Sequence, residues 1–168
     1  MKKRIILSVL LIAVLVAIDQ FTKYLIIQNL KLYDEYSLLG NSFVLKHIHN
    51  EGAAWGSLSG KRWLLLIITA IAFFVMIYVY KNISSEDRFR PLRICLIFIA
   101  GGAIGNLIDR VRLGYVTDFL YFKLIDFPVF NFADICVTCA VFVVIILCIF
   151  KYRGKDLDII IGEKEHDK

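Results

Sequence analysis

Asp118 and Asp134 each lie at the edge of a long apolar run, and Asn106 and Arg110 stand four residues apart just before them. Ionisable groups at membrane depth cost several kcal/mol on most scales, so their presence there points to a function. Two carboxylates held a few Å apart resist double ionisation, and one of them keeps a proton. The ionised member can then draw a proton from water while the protonated one polarises a carbonyl, which is acid/base hydrolysis without a metal or a nucleophilic serine. Spacing alone leaves a second arrangement open, in which Asp134 caps a helix and Asp118 pairs with Arg110 or Lys123. Asn106 and Arg110 share a helical face, where they could hold a peptide backbone or a carboxylate.

The elements that must position these groups follow from hydropathy. Among 168 residues, 59% are hydrophobic, only two are proline, and the mean hydropathy is +0.70. Apolar stretches over 5–30, 63–80, 92–108 and 130–150 approach or exceed the length of about 20 residues that a helix needs to cross a bilayer. The fold expected is an all-α integral membrane protein of four transmembrane helices. The segment between the first two is too polar for lipid, and Leu39-Gly40-Asn41-Ser42 separates two β-prone runs, which predicts a small extracytoplasmic β-cradle there. Lys2, Lys3 and Arg4, then Lys81, Arg88, Arg90 and Arg93, then Lys151, Arg153 and Lys155 flank the stretches on one side. That pattern places both termini in the cytoplasm and both acids near the outer face. The start imitates a cleaved signal, but the apolar pattern resumes after Asp19 and no A-x-A site follows, so a retained helix is expected. Residues 1–153 read as one membrane domain and 154–168 as a disordered tail.

The net charge of +5 comes largely from these flanking residues, which suits membrane lipids as partners rather than nucleic acid. Cys95, Cys136, Cys139 and Cys148 all fall inside predicted spans, where they act as small apolar residues. Asp19 and Lys23 form an i, i+4 pair that can offset each other's desolvation inside the bundle. Gly101 and Gly105 suit close helix packing. Asn50 followed by Gly52 suits close approach to an extended ligand, or a plain tight turn. His47, His49 and Glu51 alternate as zinc ligands on a strand could, but a solvated strand face is the more economical reading.

Five segments in this order carry a resemblance: D-Q-x-x-K at 19–23, H-N-x-G-A-A-W-G at 49–56, G-N-L-I-D-R-V at 105–111, V-x-D-F at 116–119 and F-N-x-A-D at 130–134. Together they resemble the lipoprotein signal peptidases, signal peptidase II, over residues 1 to about 150. The resemblance implies a membrane aspartic endopeptidase of the bacterial cytoplasmic membrane. Such an enzyme cuts prolipoproteins before a cysteine that carries a diacylglyceryl group, needs no cofactor, and is blocked by globomycin. By the same resemblance Asp118 and Asp134 match the catalytic dyad, and Asn50, Gly52, Asn106, Arg110 and Asn131 match positions that line or orient the substrate site. Asp19 and Lys23 match residues that support it. Trp55 and Ala140 depart from the usual family residues. A monomer is expected. A proton-coupled transporter and a non-enzymatic assembly factor are the rival readings; four spans without a duplicated half disfavour the first.

Overall fold

A computed structural model describes residues 2–52, 57–58, 60–83 and 86–162. Four long helices dominate it: α1 (Lys2–Asn29), α2 (Arg62–Asn82), α3 (Arg90–Arg112) and α4 (Phe132–Phe150). Each is long and apolar enough to span a bilayer. Their outward faces are rich in exposed apolar side chains, with Trp63 and Phe74 about three-quarters exposed, a surface suited to lipid. Along α1 the buried residues include Ser8, Asp19 and Lys23, so these three polar side chains face inward.

α3 packs against α1, α2 and α4, and its small residues permit the close approach. A methyl group on Gly101 would meet the Leu15 Cβ at 2.8 Å, one on Gly102 would meet the Ala133 carbonyl, and one on Gly105 would collide with the Asp19 carboxylate. Gly105→Ala is therefore expected to destabilise the protein by about 1–3 kcal/mol, the usual range for overpacking, because the obstructing carboxylate is itself pinned by an ion pair with Lys23 and a hydrogen bond from the Ala133 N–H. Thermal unfolding in detergent checks this; an unchanged midpoint would contradict the packing.

Three antiparallel strands in the order β1-β2-β3 stand beside the bundle: β1 (Glu35–Leu39), β2 (Phe43–Asn50) and β3 (Val116–Tyr121). β1 and β2 form the sheet expected between the first two helices. The third strand comes from the segment between α3 and α4, and pairs Asp118 with Ile48 and Val116 with Asn50. Its first four residues are all buried, so it lacks the apolar/polar alternation that marks a half-exposed strand. A bridge between Leu120 and Phe130 returns the chain to α4.

α4 begins at Phe132, behind a capping box: the Asn131 side chain accepts from the Asp134 N–H, and the Asp134 carboxylate accepts from the Asn131 N–H. Part of the segment expected to be disordered is helical. Residues Lys155–Ile161 form a fifth helix, α5. Seven residues are too few to hold a helix alone, but Ile159 and Ile160 pack on a core of Ile83, Phe89, Leu92, Leu96 and Tyr152. Asp156 pairs with Arg88, and the buried Tyr152 hydroxyl donates to the Arg88 carbonyl at 2.9 Å. His166 lies outside the described residues.

Candidate active site

Asp118 reaches the site from β3 and Asp134 from the first turn of α4, and both line one cavity of about 1020 Å³. Asn131 touches both: its side-chain amide donates to Asp118 Oδ1 at 2.6 Å and its backbone N–H donates to Asp134 Oδ2 at 3.1 Å. The other oxygen of each acid takes a second amide. Asn50 Nδ2 donates to Asp118 Oδ2 at 2.8 Å, and Asn106 Nδ2 donates to Asp134 Oδ1 at 2.8 Å. Asn50 is itself oriented, because its Oδ1 accepts from the Gly52 N–H at 2.9 Å.

Asp118 pairs with neither Arg110 nor Lys123. Lys123 bonds Glu35 at 2.5 Å, and Arg110 donates to the Gly52 carbonyl at 3.0 Å. Arg110 lines the cavity, and its buried Nε has no hydrogen-bond partner among the described residues. A buried donor without an acceptor is costly, and an incoming carbonyl would remove that cost. Asp134 does cap α4, yet it also faces the cavity, so the two roles coexist.

Burial pushes the Asp118 carboxyl up to about 7; the negative charge of Asp134 adds to this, while the amides of Asn50 and Asn131 pull it back. Near neutral pH, Asp118 is poised to exchange a proton, as a general acid or base must. The Asp134→Asn variant removes the second cause, so Asp118 is expected to titrate at a lower pH in that variant. Infrared difference spectra of the protonated carboxyl band, taken across pH with Asp118→Asn as the blank, measure this. An unmoved titration would mean that the two acids do not interact.

Beneath the acids, Lys23 sits 2.9 Å from Asp19, 3.0 Å from Asp109 and 2.8 Å from the Asn106 side-chain oxygen. The cation therefore holds the Asn106 oxygen and turns its amide nitrogen toward Asp134. Asp19 also accepts from the Ala133 N–H at 3.1 Å, which ties α1 to the start of α4. Two members of this network escaped the sequence reading. Asp109 accepts from Gln20 at 2.9 Å and from the Thr117 N–H at 3.2 Å, one residue before Asp118, so it anchors β3 to the bundle. Gln20 also donates to the Gly105 carbonyl at 3.2 Å. Gln20 lies in the D-Q-x-x-K segment and Asp109 in G-N-L-I-D-R-V, where Asp109 follows the apolar part of α3 as an acid that needs a partner.

The histidines also differ from expectation. His47 is buried and its Nδ1 bonds the Leu30 carbonyl at 2.9 Å, and the half-buried His49 stacks on Tyr115 at 3.7 Å, so both rings are packed while Glu51 alone is exposed to solvent. Ala140 is buried on α4, and Trp55 lies outside the described residues.

The family model of signal peptidase (SPase) II matches residues 11–150, most of the chain and all five motifs. The chain belongs to the signal peptidase II family. The lipoprotein signal peptidase of Symbiobacterium thermophilum is 42% identical over 137 residues, covering 80% of this chain and 89% of that protein. The lipoprotein signal peptidase of Enterococcus faecalis is 40% identical over 153 residues, covering 90% of each. A bacterial membrane enzyme solved by the in meso method at 2.3 Å resolution superposes with a TM-score of 0.74 at 32% identity, covering 96% of this chain and 93% of that one. Membership of the signal peptidase II family makes this multi-pass membrane protein a protease.

Proposed function

We propose that this protein is a membrane aspartic endopeptidase that removes the signal peptide from bacterial prolipoproteins, cutting before a cysteine that carries diacylglycerol. One observation carries the reading: a single residue, Asn131, bonds both Asp118 and Asp134 at the wall of one cavity. In the reaction proposed, one carboxylate takes a proton from a water molecule as its oxygen attacks the scissile carbonyl. The protonated partner donates to the carbonyl oxygen, and the tetrahedral intermediate collapses with a proton passed to the departing amine. No metal enters the scheme.

The substrate gives a reason for this site position. Its acyl chains and signal helix stay in lipid, so the acids must act at the bilayer edge, where water reaches them. Arg110 supplies the buried Nε donor for a substrate carbonyl, and the Gly52 carbonyl fixes its guanidinium. Asn50, Asn106 and Asn131 hold the acids in place and line or adjoin the substrate path, which reduces the freedom lost on reaching the transition state. Asp19 and Lys23 support Asn106 from below. The protein acts as a monomer in the bacterial cytoplasmic membrane, with both termini inside and the cavity at the outer face.

The test is incubation of the purified protein with a diacylglyceryl-modified prolipoprotein and mass analysis of the products. Two fragments separated at the lipidated cysteine, and their absence when globomycin is present, are expected. An intact substrate, or a cut elsewhere, would sink the proposal.

A further inference from the structure

We propose that a groove between α3 and α4, at the end of the bundle that carries the chain termini, binds a phospholipid whose head group holds a phosphate and an ammonium together. The groove has a volume of about 620 Å³ and lies apart from the acids. Ile94, Cys95 and Phe98 line it from α3, and Cys139, Ala140 and Val143 from α4. It exists because Cys95, Cys139 and Ala140 are small where a larger side chain would fill the space between the helices. From Arg90 to Phe98 it runs about 12 Å at 1.5 Å per residue, close to the hydrocarbon depth of one leaflet. An acyl chain fits that length and that lining.

The rim says which amphiphile. Asp87 and Arg90 both line the mouth of the groove. At the same end of the bundle Arg88 is paired with Glu86 at 3.2 Å and also with Asp156. The side chains of Asp87 and Arg90, by contrast, make no ion pair or hydrogen bond within the described residues, although the charge of Asp87 is felt by the buried Arg93. Opposite charges three residues apart that do not satisfy each other present a cation and an anion side by side. A purely anionic head group would satisfy Arg90 but meet Asp87 with like charge. A head group with adjacent phosphate and ammonium satisfies both: the guanidinium takes the phosphate oxygens, where its fork geometry suits, and the carboxylate takes the ammonium. This site is independent of the catalytic reading, because no residue of the acid cavity belongs to it.

The experiment compares retention of phosphatidylethanolamine and phosphatidylglycerol with identical acyl chains. The full-length protein, equilibrated with mixed vesicles of the two, is extracted in mild detergent and its bound lipid is counted by native mass spectrometry. About fivefold enrichment of phosphatidylethanolamine over its share in the vesicle is expected, the value of one exposed ion pair. Asp87→Asn should erase the enrichment while lipid remains bound, Arg90→Gln should lower retention of both lipids, and Ala140→Phe should empty the groove. Equal retention of the two lipids by the unaltered protein, or a preference for phosphatidylglycerol, would overturn the assignment. So would enrichment that survives both rim substitutions, or a dimer whose interface covers the groove. Asp87 and Arg90 are surface residues, so their variants test the idea even if Ala140→Phe fails to fold.

Discussion

Cleavage of a lipidated prolipoprotein is expected to fall by roughly 10²–10⁴-fold in Asp118→Asn and by a similar factor in Asp134→Asn, the usual contribution of a positioned acid or base. The factor applies to each acid, because the reaction proposed above needs both a proton acceptor for water and a proton donor for the carbonyl. The double variant should be little worse than either single one, since groups that act as a unit do not contribute additively. Folding should survive. Asparagine matches aspartate in shape, and at position 134 its oxygen can still accept from the Asn131 N–H that closes the capping box. At position 118 the oxygen can keep the 2.6 Å bond from Asn131. Turnover and thermal unfolding measured on the same samples separate chemistry from structure. A folded Asp118→Asn or Asp134→Asn protein with undiminished turnover would remove that residue from the reaction.

Lys23→Met is expected to do damage of a different kind, lowering stability by about 3–5 kcal/mol. Lys23 is almost wholly buried and sits within 3.0 Å of two carboxylates, Asp19 and Asp109. Methionine fills the space but removes the cation, leaving two buried acids whose charges then repel each other. At the size of this chain such a loss lowers the unfolding midpoint by about 6–20 °C. The Asn106 amide also loses the contact that orients it, so whatever protein folds should be slower as well. Adding Asp109→Asn to Lys23→Met removes one of the two stranded charges and should recover part of the midpoint. It should not recover the rate, because Asn106 stays unanchored. Equal midpoints for Lys23→Met and the unaltered protein would show that the network contributes little.

Four membrane helices were readable from the sequence because lipid imposes a one-dimensional rule: a helix that crosses it must be apolar for about 20 residues. The same rule made Asp19, Lys23, Asp118 and Asp134 conspicuous, since a charge at membrane depth is out of place wherever its partners are. Partnership itself is a matter of three dimensions. Nothing in the spacing of Asp118 and Asp134 states that β3 would join β2, or that Asn131 would lie between the two acids; pairing β3 with β2 and closing the Leu120–Phe130 bridge decided that. β3 was hidden because it is buried on both faces and so loses the alternation a strand ordinarily shows. α5 was hidden for the opposite reason, since seven residues acquire a helical preference only when Ile159 and Ile160 find a core to cover. Gln20 and Asp109 could be seen as polar residues in odd places, but their bonds to one another and to the backbone of Thr117 required α1, α3 and β3 to meet. Solvent preference is a property of each residue and survives in the linear chain, whereas a hydrogen bond between distant residues exists only after packing has brought donor and acceptor together.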